Sequence, residues 1–384
     1  MMTCGDEIIA IVESVAFGGF GVVRHEGIVV FIPYTVDGDT IRARIVAVKP
    51  TYLLAEMVEL LNPSPQRQTP PCSYFGICGG CTYQHIRYPH QLAIKEKQLR
   101  DLLQRVGKFA TLPPLAVIPS PQALHYRLKA DFHLACQDGK ATLGFMKNKS
   151  NEVVAIDSCA ILAERINEKL PELRAHINNI TVPPRITLWE SDEREDDLQV
   201  VRLNDKKFMT PASGFFQANG PLLPQFITVV TELCGEIKNL TVVDAYCGSG
   251  LFACFLATAK EVIGIEQNAK ALACARKNFS REESHNGSFW AGDCSRIFYE
   301  RVLRKGKSPA VIIVDPPRSG CAKSFLMQLA SLPSAKIVYV SCNPSTLARD
   351  LRVLVSAGFS LKKAYLLDMF PQCSHIESVT YLEK

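Results

Sequence analysis

The chain has no long hydrophobic run. Its apolar stretches, such as Ala310–Val314, are far shorter than the roughly 20 residues that cross a bilayer, so we expect no membrane-spanning helix. Its first residues have neither a basic segment nor an apolar core, so we expect no secretory signal peptide and a cytoplasmic, reducing location. It also has no internal repeat and no low-complexity tract, which excludes repeat architectures.

Charged residues are few, at 21% of the chain, whereas 47% of the residues are apolar, which excludes a largely disordered protein. The length of 384 residues is too great for one ordinary core and predicts two or three domains. A net charge of +5 permits a nucleic-acid partner without requiring one. The fourteen cysteines are spread from Cys4 to Cys373, which excludes a small disulfide-stapled domain and indicates thiols, metal ligands or nucleophiles.

The first sixty residues predict short strands separated by glycines. Apolar Ile41, Ala43 and Ile45 alternate with Arg42 and Arg44, which is the period of a half-buried strand. Several such strands at short spacing predict a small β-barrel, with both arginines on its outer face. A solvated strand face explains the two arginines equally well on this pattern alone.

The middle of the chain mixes three patterns. Asn62–Pro65 predicts a linker. Gln91–Val106 predicts an amphipathic helix with a basic polar side. From Tyr126 to about Leu203 the pattern predicts strands, and the acidic stretch Glu190–Asp197 predicts an exposed loop.

From Leu240 onward, short apolar strands alternate with helical stretches, which predicts a parallel, doubly wound sheet. The predicted strands are Thr241–Ala245, Val262–Glu266, Ser288–Asp293, Ala310–Asp315 and Lys336–Ser341. The tail predicts two further strands, Leu361–Met369 and Ser378–Glu383, as an antiparallel hairpin at the edge of the sheet.

A glycine-containing loop, Asp244–Gly250, follows the first of these strands and opens a helix. Its glycines permit a tight turn beside a ligand at the carboxyl end of the sheet. Glu266 ends the next strand, where its carboxylate can accept hydrogen bonds from both ribose hydroxyls, and Asp293 ends the third. The loop lacks the G-x-G-x-x-G of nicotinamide enzymes, and it resembles the cofactor loop of S-adenosylmethionine-dependent methyltransferases. The two acidic residues favour that interpretation over a plain strand–helix turn.

Three more residues can carry chemistry at the same edge of the sheet. Asp315 begins a rigid Asp-Pro-Pro turn after the fourth strand, where it can hydrogen-bond a planar heterocycle. Cys342 ends the fifth strand and is a candidate nucleophile. Glu377 precedes the last strand and is a candidate general base if it is desolvated, although taken alone it is equally a surface glutamate.

One reaction needs this combination of groups. Carbon-5 of uracil is too weakly nucleophilic to attack a methyl sulfonium unaided. A thiolate that adds to carbon-6 turns the ring into an enolate with a nucleophilic carbon-5, and a base removes the carbon-5 proton after methyl transfer. Cys342, Glu377 and Asp315 supply a thiol, a base and a hydrogen-bonding partner for the uracil edge.

The chain resembles the RNA uracil-5-methyltransferase family over essentially its whole length. The residues that carry the resemblance are Gly214–Asn219, Asp244–Gly250, Val314–Arg318, Ser341–Pro344 and His375–Glu377. The resemblance implies that Cys342 is the nucleophile and Glu377 the proton acceptor. It further implies that Phe215 contacts the target base. The residues that it implies for cofactor binding are Gln217, Tyr246, Glu266, Asp293 and Asp315. Gln372-Cys373 departs from the family, in which a histidine and a threonine are frequent.

A second group of residues has metal-ligand spacing. Cys72, Cys78 and Cys81 lie among glycines that let the backbone wrap a metal, and Cys159 is the best fourth ligand. The spacing fits both zinc and a [4Fe–4S] cluster. The family resemblance implies the [4Fe–4S] cluster, with a structural role. Seven other cysteines are expected to be buried thiols: Cys4, Cys136, Cys234, Cys254, Cys274, Cys294 and Cys321.

These patterns predict a TRAM-type RNA-binding barrel (1–61), a mainly β central iron–sulfur domain (62–207) and a class I, Rossmann-like methyltransferase domain (208–384). We expect helix 91–107 to pack on the catalytic domain. In this light Arg42 and Arg44 become candidate phosphate contacts. The expected activity is S-adenosylmethionine-dependent C5 methylation of one uridine in 23S ribosomal RNA by a cytoplasmic monomer, the uridine being flipped from a loop or single strand.

Three alternatives stay open. Transfer RNA, at uridine 54, is the alternative substrate. The second alternative is a nonenzymatic RNA-binding relative, and the intact Cys342, Glu377 and Asp315 argue against it. The third alternative is a cytosine-5 or exocyclic-amine methyltransferase, and Arg318 argues against both. Cytosine-5 enzymes usually carry their cysteine at this position, and amine methyltransferases carry an aromatic residue.

Overall fold

A computed structural model of the chain describes residues 2–137, 140–148, 150–177, 185–203, 205–282 and 284–384. No helix within these ranges is long and apolar enough to cross a membrane. The chain forms two compact units. The first comprises Met1–Gln98, Gln122–Leu188 and Phe370–His375, and the second comprises Leu99–Pro121, Trp189–Met369 and Ile376–Lys384. The three-domain division stays a prediction.

The first unit begins with a six-stranded sheet in the order β1-β5-β6-β4-β3-β2. Its strands are β1 (Glu7–Ile11), β2 (Ser14–Ala16), β3 (Phe20–His25), β4 (Ile28–Pro33), β5 (Thr40–Val48) and β6 (Tyr52–Asn62). Ile41, Ala43 and Ile45 of β5 are buried in its core, as their alternation predicts. On the exposed side Arg42 pairs with Glu59, and Arg44 donates to Glu7 Oε1 at 2.9 Å.

The next elements include the predicted basic helix. They are α1 (Tyr88–Arg105), β7 (Leu115–Ile118), β8 (Lys129–Gln137), β9 (Lys140–Met146), β10 (Val153–Ala155), α2 (Glu164–His176) and β11 (Arg185–Trp189). Strands β8 to β11 form a sheet in the order β10-β9-β8-β11. The strand pattern missed α2, whose Ile166 and Leu170 are buried one turn apart. Lys95 of α1 is buried although the sequence placed the lysines of this helix on a solvated side.

The second unit contains a small antiparallel sheet of β12 (Arg194–Glu195), β13 (Leu198–Leu203) and β14 (Lys206–Pro211), in that order. The prediction of a loop over Glu190–Asp197 was therefore wrong for β12. The acidic side chains are held by basic neighbours: Glu195 pairs with Lys277 and Arg281, and Glu193 pairs with Arg202. These ion pairs hold side chains of the stretch that its acidic composition predicted to be an exposed loop.

The remaining elements build a doubly wound sheet. They are α3 (Leu223–Cys234), β15 (Thr241–Ala245), α4 (Leu251–Phe255), β16 (Glu261–Glu266), α5 (Ala269–Ser280), β17 (Gly287–Ala291), α6 (Cys294–Arg301), β18 (Val311–Val314), α7 (Lys323–Ala330), β19 (Lys336–Ser341), α8 (Pro344–Ser356), β20 (Ser360–Leu367) and β21 (Glu377–Glu383). Strands β15 to β19 run parallel, and β18 is buried along its whole length, as a strand covered on both faces must be.

The sheet order is β17-β16-β15-β18-β19-β21-β20-β7. The two tail strands are antiparallel, as predicted, but they do not form the edge. Strand β7 pairs in parallel with β20 and takes that position. The hairpin is inserted so that β21 lies beside β19, and this places the start of β21 next to the end of β19.

Candidate active site

The candidate nucleophile Cys342 lies in the turn between β19 and α8. Asn343 caps α8, since its side chain accepts a hydrogen bond from Ser345 N at 3.1 Å, and Pro344 follows in the first helical turn. The same side chain donates from Nδ2 to the Arg318 carbonyl at 2.9 Å. One amide therefore fixes both the cysteine turn and the turn that carries Arg318.

The turn after β18 is held by the buried carboxylate of Asp350 in α8. Asp350 Oδ2 accepts hydrogen bonds from Cys321 N at 2.9 Å and from the Tyr339 hydroxyl at 2.7 Å. Its Oδ1 accepts from Arg349 Nε at 2.8 Å. A buried carboxylate with this many donors is a rigid support, and it anchors the end of the turn.

Glu377 lies opposite Cys342 on the neighbouring strand. Ser341 of β19 pairs with Ser378 of β21 in the antiparallel ladder, so the next position along sets Cys342 across from Glu377. The Ser378 hydroxyl also donates to the Ser341 carbonyl at 3.2 Å. Glu377 is only 4% exposed, so it meets the condition of desolvation that a general base requires here.

Burial raises the pKa of each of the three candidate catalytic groups. Burial and the charge of Glu377 raise the pKa of Cys342 to about 11, and the Arg318 guanidinium opposes this rise. Burial and Asp315 raise the pKa of Glu377 well above its ordinary value, again against Arg318. Burial raises the pKa of Asp315 to about 7. Arg318 therefore favours the reactive anion of both Cys342 and Glu377.

The loop after β15 has the backbone of a ligand-binding turn. Tyr246, Gly248 and Gly250 have φ angles of 64°, 54° and 81°, in the left-handed region. A Cβ on Gly248 would meet no atom within 4 Å, whereas one on Gly250 would lie 3.0 Å from the Cβ of Ala275 in α5. The first glycine borders open space, and the second lets the loop pack closely on α5.

Two carboxylates are fixed at the ends of the following strands. Glu266 accepts hydrogen bonds from Gly248 N at 3.0 Å and from Asn268 N at 2.6 Å. Asp293 caps α6 by accepting from Arg296 N at 3.0 Å. Both predicted ribose and adenine contacts thus lie at the carboxyl ends of β16 and β17, where doubly wound sheets bind nucleotides.

Asp244 lies beneath the glycine loop and is fully buried. Its Oδ2 accepts a hydrogen bond from Ala253 N at 2.9 Å. Burial, with the charges of Asp315 and Glu266, raises its pKa to about 8. The three carboxyl groups therefore share one electrostatic environment, which a bound cation would stabilise.

Phe215 and Phe216 follow each other in the turn after β14 but have opposite environments. Phe215 is 81% exposed, whereas Phe216 is 8% exposed. The Phe216 ring packs against Trp189 and Phe208, with centroids 6.1 and 5.8 Å apart. Phe216 therefore belongs to the core, and Phe215 is accessible to a substrate. Gln217 is buried in the same turn.

The four predicted cluster ligands line one cavity of about 660 Å³ within the first unit: Cys72, Cys78, Cys81 and Cys159. Burial raises the pKa of Cys78, and raises that of Cys159 to about 11. A hydrogen bond with Cys373 is the largest cause of the raised pKa of Cys81. In the described ranges, no group of three or more histidine, cysteine or acidic side chains is arranged to hold a metal ion. The structure thus gathers the predicted ligands around a cavity without forming a ligand set.

Most of the other cysteines have the environment that was expected of them. Cys234, Cys254, Cys274, Cys294 and Cys321 are buried. Cys4 is exposed, so that prediction was wrong: it lies in the turn that precedes β1, outside the core of the sheet. The side chain of Cys136 lies outside the described part of the structure.

Comparison with known proteins decides the family. Residues 302–384 match the family model "tRNA (Uracil-5-)-methyltransferase", and residues 3–58 match the TRAM domain. An uncharacterised RNA methyltransferase of Halalkalibacterium halodurans is 30% identical over 98% of this chain and 97% of its own. The tRNA (uracil(54)-C(5))-methyltransferase of Schizosaccharomyces pombe is 32% identical over 95% of this chain and 76% of its own. The chain belongs to the RNA uracil-5-methyltransferase family.

A solved structure shows the same fold. The tRNA (uracil-54, C5)-methyltransferase of Pyrococcus abyssi, in complex with S-adenosyl-L-homocysteine, has a TM-score of 0.75 and 24% identity, covering 98% of this chain and 100% of its own. The expected fold class, a Rossmann-like methyltransferase sheet with an N-terminal TRAM domain, is therefore confirmed.

For this family member, the structure brings Cys342, Glu377 and Asp315 into one electrostatic group. The roles of Phe215 and Gln217 stay predictions. Sequence reasoning missed Arg318 as a contributor to the site, because it used that arginine only to compare methyltransferase families and assigned it no role. Its position directly after a rigid Asp-Pro-Pro turn, at the edge that carries an acidic side chain and a cysteine, was the available signal.

Proposed function

We propose that this chain transfers a methyl group from S-adenosylmethionine to carbon-5 of a uridine in RNA. The observation that carries the proposal is the pairing register that sets Cys342 opposite Glu377, with Arg318 acting on the charge of both. A nucleophile and a proton acceptor on adjacent strand ends can act on neighbouring carbons of one flat ring. These are the two groups that uracil C5 methylation requires.

Each side chain has a defined step. The Cys342 thiolate bonds to carbon-6, and the electrons of the ring double bond move onto the O4 side as an enolate. Asp315, whose pKa of about 7 keeps much of it protonated near neutral pH, donates a hydrogen bond to the uracil edge. After methyl transfer, the Glu377 carboxylate accepts the carbon-5 proton. The double bond then reforms as the carbon–sulfur bond breaks and the thiolate leaves.

The cofactor proposal is supported by the loop after β15. When bound, S-adenosylmethionine supplies the methyl group as a sulfonium cation. Open space beside Gly248 and the fixed carboxylate of Glu266 suit a nucleoside. A bound cation would favour the ionised form of the buried Asp244 carboxyl group, whose pKa is otherwise raised. We assign the remaining contacts to Gln217, Tyr246, Asp293 and Asp315.

We propose 23S ribosomal RNA as the substrate, with Phe215 stacking on the target base. A looped or single-stranded uridine suits the site, because the base must leave its stack to reach Cys342. Transfer RNA is the second candidate, favoured by the 32% identity with the Schizosaccharomyces pombe enzyme, whose name specifies uracil 54 of transfer RNA.

Methyl transfer from tritiated cofactor to separate, unmodified 23S and transfer RNA tests the substrate. We expect label in 23S RNA, at one position that mass mapping identifies as 5-methyluridine. Label confined to transfer RNA would replace the first candidate by the second. Label in cytosine or in an exocyclic amine would overturn the reaction itself.

We also propose that Cys72, Cys78, Cys81 and Cys159 hold a [4Fe–4S] cluster, as the cavity that they share supports. The test is the iron and labile sulfide content, with visible absorption, of anaerobically purified protein. Cys159→Ser should lose both elements, whereas Cys274→Ser, at a buried cysteine of α5, should keep them. Wild-type protein without iron and sulfide would overturn the cluster and leave the methyl-transfer proposal unaffected.

A further inference from the structure

Gln372 is a strained residue in the segment that leads into Glu377. Its φ is 67°, in the left-handed region that a side chain other than glycine adopts at a cost, and it is buried. Its backbone N donates to Gln91 Oε1 at 3.0 Å, and Gln91 Nε2 donates back to Gln372 Oε1 at 2.9 Å. The two glutamines thus form a reciprocal amide pair within the first unit.

The loop after Cys81 holds the same segment. Thr82 N and Tyr83 N both donate to the Gln372 carbonyl, at 3.0 and 2.9 Å. Ser374 N donates to the Thr82 hydroxyl at 2.9 Å. Backbone strain that so many hydrogen bonds maintain is typical of segments that serve a functional group.

The functional group nearest in the chain is the candidate base. Ser374 precedes Glu377 by three residues, and each residue extends the chain by at most about 3.6 Å. The anchored segment is therefore joined to Glu377 by only a short stretch of chain. Proton removal from a ring carbon depends on the placement of the base to within about 0.5 Å, so a small release of these anchors should affect that step first.

We propose that Gln91 is a positioning residue for proton removal by Glu377. It acts by holding Gln372 in its left-handed conformation, and Thr82 supports the same segment through Ser374. The inference rests on the proposed function. It goes beyond that function, because it assigns Gln91, which lies outside the candidate active site, to one step of the reaction.

Gln91→Ala tests this, with Gln98→Ala as the matched control. Gln98 is a buried glutamine of the same helix whose Nε2 donates to Val15 O and to the Tyr83 hydroxyl. Single-turnover reactions with labelled cofactor separate methyl incorporation into the covalent protein–RNA complex from release of free methylated RNA. Gln91→Ala removes both hydrogen bonds between Gln91 and Gln372, together with those from Gln91 Nε2 to the Tyr83 and Ile86 carbonyls. We expect it to slow release about 10-fold or more, with methyl incorporation almost unchanged. Gln98→Ala should leave the ratio of the two rates at the wild-type value.

A gentler pair covers the case in which Gln91→Ala does not fold. Thr82→Val removes only the hydroxyl that accepts from Ser374 N, and Thr82→Ser keeps that hydroxyl. Thr82→Val should slow release about 3-fold or more, while Thr82→Ser should not, because a single acceptor distinguishes them. The inference is overturned if Gln91→Ala and Thr82→Val leave the ratio of the two rates at the wild-type value. A wild-type protein that forms neither adduct nor 5-methyluridine would instead overturn the proposed function.

Discussion

Cys342 and Glu377 occupy opposed positions at the ends of β19 and β21, one step beyond the paired Ser341 and Ser378. The order β19-β21-β20 creates this relationship, because the reverse order, with β20 beside β19, would separate Glu377 from the end of β19. The charge of Glu377 opposes ionisation of the Cys342 thiol, and Arg318 favours ionisation of both groups. The pair is therefore chemically coupled as well as adjacent.

Replacing the candidate base should trap the reaction after methyl transfer. Glu377→Gln keeps the shape of a buried side chain and removes the proton acceptor, so product release should fall by roughly 10²–10⁴-fold. Methyl-labelled RNA should then stay bound to the protein in denaturing gels. The control is Glu383→Gln, at the exposed far end of the same strand, which should release product normally. Release at the wild-type rate from Glu377→Gln would exclude Glu377 as the base.

The reactivity of Cys342 should rise with pH. Because its pKa is about 11, the thiolate fraction should grow about 10-fold per pH unit from pH 7 to 10. Alkylation by iodoacetamide, measured on the Cys342 peptide by mass spectrometry, reports that fraction without RNA. Arg318→Ala should slow alkylation at each pH, and Arg318→Lys should slow it less, because it retains the charge. A plateau below pH 9 would contradict this assignment.

The two neighbouring phenylalanines should fail in different ways. Phe216→Ala removes a core ring and should destabilise the protein by roughly 3–5 kcal/mol in denaturant unfolding. Phe215→Ala removes an exposed ring and should leave stability unchanged. It should lower kcat/KM for RNA by roughly 10-fold if the ring stacks on a base. Equal RNA kinetics for wild type and Phe215→Ala would remove Phe215 from the substrate site.

Asp244 should make the protein less stable as pH rises. Its pKa is about 8 when folded, against an ordinary value of 3.8, so between those pH values the unfolded chain loses a proton that the folded chain keeps. Unfolding is thereby favoured increasingly from about pH 4 to pH 8. Asp244→Asn lacks this ionisation. Its free energy of unfolding, relative to that of wild type, should therefore rise by on the order of 2–4 kcal/mol from pH 5 to pH 8. A stability difference that is constant with pH would contradict the raised pKa.

Local pattern predicted the parallel strands, because each is a short, continuous apolar run between turn residues and is covered on both faces. It could not predict the place of the tail hairpin or of β7, since sheet order is set by contacts between distant segments. It also missed α2, and it placed Lys95 in solvent. Lys95 is instead buried with its Nζ donating to the Phe370 carbonyl at 2.9 Å, a partner 275 residues away in the chain.

The site was more predictable than the residues that support it. Cys342, Glu377 and Asp315 stand out because their residue types and strand-end positions carry a recognisable reaction. Gln91 and Gln372 do not, because an amide pair between distant segments leaves no periodicity or spacing in the sequence. Supporting residues of this kind become visible only when the fold brings their segments together.

The most direct test of the account is the covalent complex with RNA in which the target uridine is 5-fluorouridine. Fluorine replaces the carbon-5 proton that Glu377 is proposed to remove, so the reaction should stop with the RNA bonded to the protein. We expect a denaturant-stable complex whose linkage maps to Cys342, absent from Cys342→Ala and retained by Cys274→Ala. Cofactor-bound wild-type protein that forms no such complex, or a complex that persists in Cys342→Ala, would contradict the account.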